Sequence, residues 1–430
     1  MVVASALTAA AVRGQQKVNK VEQGQAQMAL HQVQDVIEKR YYDPAFHGFD
    51  LHARFAEAEK KINELPTLTA GLGAVAWAVE GLNDSHTSFI PPERNVIIDK
   101  GWQMEMVGDK CVIWAVQPGS DAWKQGLRPG DEVLKVENYQ PNRATFAKIA
   151  YRLEVVAPLA EYHFVVASPG QSARQLVVKS RQEVFPQELR GFTGGDTLHQ
   201  MLRLYKGYRI LGKSRIAEMN DKLMVWKLPE FNLQPADINR YVDAAKKHET
   251  LILDLRNNSG GREEALRWMV ANFFDHDITV GNLIGRKGIE PLRMPSRGKG
   301  AFAGKLIVLV NAQSASAAEV FPKVVQIEKR GIVLGDQTAG EVGRAEVVPL
   351  EQGGTAIFDY WVEVTVSRFQ MPDGTDPEGT GVAPDTKILP TQADMAAGRD
   401  PVLAAALQLA GITLSPEEAG KMFPVQWLTH

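Results

Sequence analysis

The sequence predicts an α/β protein: a parallel sheet with crossover helices, preceded by a helical layer and by a short β-rich unit. Three observations lead there. From Asp221 onward, short apolar runs alternate with helix-period segments, the order that a parallel sheet with crossovers requires. Roughly the first ninety residues carry apolar side chains at three- and four-residue spacing, as amphipathic helices do. Between the two, from Gly101, strands of a few residues are separated by turns rich in Gly and Pro.

Taken in order, Val21–Arg40 has helical periodicity, and Tyr41-Tyr42-Asp43-Pro44 closes it because proline cannot continue a helix. Ala53–Ile62 and Leu68–Leu82 predict two more helices. The layer ends in Leu82-Asn83-Asp84-Ser85-His86-Thr87-Ser88-Phe89 and Pro91-Pro92, a polar loop with one His. Taken singly, such a His is more often a hydrogen-bonded structural group than a catalyst. Next come a strand at Val112–Val116, a turn at Pro118-Gly119-Ser120 and a small helix through Ala122-Trp123. The turn Gly126-Leu127-Arg128-Pro129-Gly130-Asp131 leads into a strand, Glu132–Val136, and a helix, Thr145–Leu153. This run resembles the middle of a PDZ domain, chiefly in its Gly-x-x-Pro-Gly-Asp turn and the strand after it. Asp121-Ala122 and Gln125-Gly126 stand where such domains usually carry Pro-Ala and Ala-Gly. The resemblance implies a module that binds an extended peptide by strand addition and grips a C-terminal carboxylate in a loop of amides. Gly101, Trp102, Gln103 and Met104 occupy the place of that loop.

Arg181–Arg215 is poorly periodic, and Gly191 and Gly194-Gly195 predict an exposed hinge. Leu223–Trp226 is then a strand and Pro235–Lys247 a helix, with Pro near its start and Asp237 in its first turn. Leu251–Leu255 is a buried strand running into Arg256-Asn257-Asn258-Ser259-Gly260-Gly261, and Glu264–Phe274 is a helix. Leu306–Val310 suits a strand buried on both faces. Asn311–Ala315 are small and polar, so the chain turns sharply before a helix carrying Ala318, Val320, Phe321, Val324, Val325 and Ile327. Ile332–Leu334, Ala345–Pro349, Thr355–Tyr360 and Trp361–Val366 read as strands. Pro372–Pro384 is rich in Gly and Pro, and Pro401–Ala410 closes the chain as a helix.

Composition narrows the function. A length of 430 residues accommodates two or three domains, and 44% hydrophobic with 23% charged residues is ordinary for a globular protein. A net charge of −3 gives no reason to expect nucleic acid or an anionic membrane as partner. The nine His are scattered, and the one Cys, Cys111, excludes internal disulfides and thiolate metal sites, so no metal or other cofactor is expected. Cys111 lies in an apolar run and reads as an inert core thiol. Val2–Val12 is apolar but too short to span a bilayer. It resembles the core of a secretory signal, without a preceding Lys or Arg, and predicts a periplasmic or secreted protein with no integral membrane segment.

Two loops leave the carboxyl ends of strands, and in an open parallel sheet such loops face one crevice. One carries Gly260 and Gly261, the other Ser314 and Ser316. A hydroxyl at the start of a helix meets its positive end, where unpaired amides hold a developing oxyanion. Alternatively, the two Ser residues simply cap the helix. Paired glycines let a free amide approach a substrate carbonyl. An amide of Gly260 or Gly261 together with that of Ala317 would supply two donors beside Ser316.

Leu251–Gly261, Val310–Val320 and Ile332–Gly340 resemble the C-terminal processing (tail-specific) protease family, and the likeness extends from about Val21 to Leu407. It implies a crotonase/ClpP-like parallel-sheet core with an N-terminal helical domain and an inserted PDZ domain. The expected divisions are 1–20 (signal or unstructured start), 21–95 (helical domain), 96–182 (PDZ), 183–400 (peptidase core) and 401–430 (closing helix and tail). In the family's Ser-Ala-Ser-Ala-x-Glu motif the central Ser is the nucleophile, which is Ser316 here, with Glu319 matching the family's Glu. Members with a Ser–Lys dyad carry the Lys where this chain has Glu341, and a carboxylate is a poor replacement for a neutral amine as base. A tricorn-like Ser-His-Glu branch instead takes its His from a Ser-His pair before the PDZ domain and its Glu from a segment before Gly-Val-x-Pro-Asp. Ser85, His86 and Glu378 fill those places. The resemblance thus implies a serine endopeptidase acting on peptide or protein substrates through an acyl-enzyme, with His86 as base oriented by Ser85 and Glu378. Crotonase-like cores also often assemble into homo-oligomers. Glu341 and Arg344 either shape the pocket or pair with each other at the surface. Two other readings are a catalytically inactive PDZ-containing peptide-binding scaffold and a crotonase-like acyl-transfer enzyme.

Overall fold

Asn19 opens the helical layer: its side chain accepts the Val21 amide at 3.1 Å and starts α1 (Lys20–Arg40). Asp50 caps α2 (Leu51–Glu64) in the same way, and Thr67 caps α3 (Leu68–Val79). A tight turn, Glu80–Leu82, extends α3 until Asn83 takes a left-handed conformation, φ 53°, and stops it. The cap ejects Asp84-Ser85-His86 from the layer just before β1 (Ser88–Ile90). The computed structural model describes residues 19–92, 96–184, 213–219, 221–350 and 360–427. The apolar Val2–Val12 stretch, the Gly191–Gly195 hinge and residues 355–359 of the expected strand lie outside them. No described helix is long and apolar enough to cross a membrane.

The β-rich unit follows. Its stem is a ladder of β2 (Val96–Asp99) and β8 (Arg181–Val184). Between them run β3 (Trp102–Val107), β4 (Lys110–Val116), α4 (Asp121–Lys124), β5 (Glu132–Val136), α5 (Phe146–Tyr151), β6 (Glu161–Ala167) and β7 (Arg174–Lys179). The strands form one antiparallel sheet in chain order, with β3 at its edge. Trp102 anchors the core, its ring edge-on to Tyr162 at 5.4 Å and to Phe164 at 4.9 Å. Cys111 is buried in this core and unpaired; burial pushes its thiol up, so it is inert.

The last part comprises β9 (Arg215–Met219), β10 (Leu223–Lys227), α6 (Pro235–Ala245), β11 (Thr250–Asp254), α7 (Glu263–Phe273), β12 (Ile278–Gly285) and β13 (Gly288–Met294). It continues through β14 (Lys305–Val310), α8 (Ala317–Ile327), β15 (Gly331–Gly335), β16 (Gly343–Leu350), β17 (Tyr360–Gln370) and β18 (Thr386–Lys387). Helices α9 (Gln392–Ala396), α10 (Pro401–Leu409) and α11 (Pro416–Gly420) close it. Among the described residues the main sheet has the order β18-β15-β14-β11-β10-β9, parallel throughout except for β9. Strand alternation divides β14: Leu306, Val308 and Val310 enter the core shared with α6, α7 and α8, while Ile307 and Leu309 face α10. The expected parallel core is present.

A second, antiparallel sheet, which the sequence reading did not anticipate as a unit, joins β17 to β1, β12 and β16, with β13 beyond β12. Its strand β17 runs from Tyr360 to Gln370, past the expected end at Val366. The helical layer packs on this sheet through Phe89, Tyr360, Val362 and Val364. That packing brings the loop after α3 to the parallel-sheet part of the molecule, where Ser85 bonds Glu378.

Candidate active site

Ser316 sits where β14 turns into α8, and its backbone is held at φ 55°, ψ −118°. A non-glycine residue reaches that region only when its surroundings enforce it. Its N–H donates to the Glu341 carbonyl at 2.8 Å and to Glu319 Oε2 at 3.1 Å. Glu319, fully buried, gathers three more donors: the Thr338 hydroxyl at 2.5 Å and the amides of Gly340 and Glu341 at 2.8 Å each. Burial pushes its carboxyl up to about 7, and those donors oppose the rise. One carboxylate thus fixes the nucleophile turn to the 338–341 segment.

The glycine loop is pinned from several sides. Asn311 and Asn257 exchange bonds at 2.9 Å, Asn257 N–H to Asn311 Oδ1 and Asn311 Nδ2 to Asn257 Oδ1. Asn311 Nδ2 also reaches Glu105 Oε2, on β3, at 3.0 Å. Asn258 donates to the Leu228 carbonyl and accepts the Gly260 amide, both at 2.9 Å. Gly260 lies against Ser316: a Cβ there would come within 2.7 Å of Ser316 Cβ. Its carbonyl accepts the Phe231 amide at 2.6 Å. Because N–H and C=O oppose each other across a trans peptide, the Gly261 amide is directed away from Phe231. Neither the Gly261 nor the Ala317 amide has a hydrogen-bond acceptor among the described residues. Of the two glycines, Gly260 has its amide already committed.

His86 is half-buried in the loop after α3. The Ser85 amide and hydroxyl donate to Glu378 at 3.0 and 2.9 Å, and Ser85 Oγ lies 2.7 Å from His86 Nδ1. A hydroxyl that donates to Glu378 accepts from Nδ1–H, so this network leaves the Nε2 lone pair free. Glu378 also accepts the Val342 amide at 2.7 Å. Burial raises its carboxyl above the ordinary value, and the Val342 bond and nearby His86 oppose that. Asp84 steadies the loop by accepting the His86 amide at 3.0 Å, the Tyr41 hydroxyl at 3.0 Å and the Thr365 hydroxyl. The 341–343 segment links the two halves: Glu341 bonds Ser316, and a Cβ on Gly343 would sit 3.6 Å from the His86 ring. No hydrogen bond joins Ser316 Oγ to His86. Such contacts often tighten only with substrate bound.

Ser85 and His86 come from the loop after α3, Gly260 and Gly261 from the loop after β11, Ser316 and Ala317 from the start of α8 and Glu378 from the 376–381 loop, and the 341–343 segment ties them together. Gly101 occupies a bend at φ 69°, but Trp102, Gln103 and Met104 are buried in β3, within a strand rather than in an open loop. Arg344 does not pair with Glu341; it forks onto Glu263 at 2.7 and 3.1 Å. The sequence reading gave no role to Glu319 and missed Asn311 and Asn258. Asn at the start of both loops was the available signal. No described group of three or more His, Cys, Asp or Glu is placed to hold a metal.

Residues 222–388 match the model of peptidase family S41. The chain is 25% identical over 372 residues to the chloroplastic C-terminal processing peptidase of Tetradesmus obliquus, covering 82% of this chain and 75% of that protein. It is also 25% identical over 334 residues to a carboxyl-terminal-processing protease of Synechocystis sp., covering 73% and 70%. Among solved structures, mature CPAF complexed with lactacystin superposes with a TM-score of 0.63 at 16% identity, over 88% of this chain and 96% of that one. The photosystem II D1 C-terminal processing protease gives 0.52 at 21%, over 84% and 93%. At these identities the two structures establish the fold.

Proposed function

We propose that this chain, which carries a peptidase family S41 core over residues 222–388, is a serine endopeptidase of the Ser-His-Glu type. One observation carries the reading: a Glu378–Ser85–His86 hydrogen-bond chain leaves Nε2 free, and the 341–343 segment ties it to a strained Ser316 flanked by two open amides. Ser316 Oγ attacks the scissile carbonyl carbon while His86 Nε2 takes its proton. The amides of Gly261 and Ala317 hold the resulting oxyanion, roughly 3 kcal/mol per donor. Collapse of the tetrahedral species breaks the C–N bond, and His86 returns the proton to the leaving amine. Water, deprotonated by His86, then hydrolyses the ester to release acid and Ser316. Glu378 acts through Ser85, keeping the imidazole in one tautomer and stabilising its cation.

Residues 96–182 belong to the same reading as a PDZ-like module that offers the edge of β3 to an extended peptide. The apolar start Val2–Val12 supports an exported, periplasmic or secreted location. The decisive experiment is covalent labelling with a fluorophosphonate, comparing wild type with Ser316→Ala and His86→Ala. Labelling that requires both residues is expected. Folded wild type that stays unlabelled would favour the peptide-binding scaffold, and labelling that survives His86→Ala would end the His86 assignment.

A further inference from the structure

Glu341 stands where Ser–Lys members keep their base, and the Ser316–His86 reading gives its side chain no task. The backbone fixes where that side chain goes. Glu341 N–H donates to Glu319 and its carbonyl accepts from Ser316, both at 2.8 Å, so both groups face the start of α8. The next amide, Val342, points the other way, to Glu378 at 2.7 Å. That reversal is the pattern of extended chain, in which successive side chains take opposite faces. Val342 is 3% exposed and enters the main core. Gly343 lies on the opposite face, against the His86 ring. Glu341 shares the face of Gly343. Its carboxylate therefore stands on the His86 side of the segment, one hydrogen bond along from the nucleophile.

The carboxylate has no ion pair or hydrogen bond there among the described residues, and Arg344 is held by Glu263. The carboxylates bonded around His86, Asp84 and Glu378, already have partners of their own. A half-buried carboxylate in such surroundings favours a cation and repels an anion.

We infer that Glu341 selects substrates bearing a Lys or Arg next to the scissile bond, its carboxylate pairing with that cation in the cleft. The inference rests on the endopeptidase reading above. Its test uses the full chain and a proteome-derived peptide library, with cleavage sites read by mass spectrometry. Quenched peptides differing only in the flanking residue (Lys, Arg, Gln, Leu, Glu) follow, against wild type, Glu341→Gln and Glu341→Lys. Wild type is expected to prefer Lys or Arg over Gln by about tenfold or more in kcat/KM. Glu341→Gln brings that ratio toward one, and Glu341→Lys turns it toward Glu. A wild-type enzyme without the preference, or one whose preference survives Glu341→Gln, overturns the inference. So does a wild type that takes the fluorophosphonate yet cuts no peptide beside Lys or Arg. A wild type that neither labels nor cuts instead refutes the endopeptidase reading, and the inference with it.

Discussion

At Ser316 the backbone conformation and the chemistry are one problem. The backbone is held at φ 55°, and Glu319 with the Glu341 carbonyl keeps it there by accepting the Ser316 N–H. Gly260 completes the fit by having no side chain. Gly260→Ala would drive a methyl to 2.7 Å from Ser316 Cβ and 2.8 Å from the Ala315 carbonyl, at a φ of 88° that alanine resists. The expected result is a loss of at least about a hundredfold in fluorophosphonate labelling rate, since small misplacements of reacting groups cost that much. Labelling within twofold of wild type would show that the glycine is not needed for the approach. At this scale the sequence singled out Ser316 and the glycine pair by their places after buried strands, and Ser85-His86 and Glu378 only through the family resemblance. Glu319 was visible only as a motif position without a role, since a Glu three residues past a Ser reads equally well as a helix cap. Its four donors come from segments separated in sequence, and only folding brings them together.

The strand–turn–helix–strand unit that presents Ser316 depends on close strand contact. Gly335 ends β15 at φ 128°, and any Cβ there would overlap the Val310 carbonyl on β14. Gly335→Ala is expected to destabilise the protein by roughly 2–4 kcal/mol, read as a lower urea midpoint with an unchanged slope. An unshifted midpoint would mean that the strands separate at little cost. Elements with unbroken apolar runs, such as β14, were visible in the sequence because burial on both faces leaves no polar position. The hairpin β12–β13 was not, since Gly281, Gly285 and Pro291 read as breakers. Gly281 and Gly285 are in fact demanded by close packing on Phe369 and on the Val366 carbonyl, contacts that only the neighbouring strand creates.

Across the whole molecule, buried charges join units that are distant in sequence. Arg256, after β11, forks onto Asp254 and Asp400, tying the glycine loop to the start of α10. Glu105 joins the β-rich unit to both active-site loops through Asn311. Burial pushes its carboxyl up to about 7, against the pull of Arg256 and Lys227. Between about pH 4.5 and that value the folded chain keeps a proton that the unfolded chain releases, so raising the pH removes stability there. Glu105→Gln has no proton to lose. Relative to wild type it should therefore gain up to roughly 3 kcal/mol on going from pH 5 to pH 8, measured by urea unfolding at both values. A relative loss at pH 8 would instead mean that the ionised carboxylate is a stabilising partner of the two cations.

The bonds between Ser85 and Glu378 span 293 positions of the chain. On the proposed assignment a ribosome delivers His86 first, Ser316 much later and Glu378 last. Until residue 378 has emerged and the helical layer has docked on β17, no nascent chain holds all the parts of the relay. On that assignment a chain broken before residue 378 is expected to be inactive.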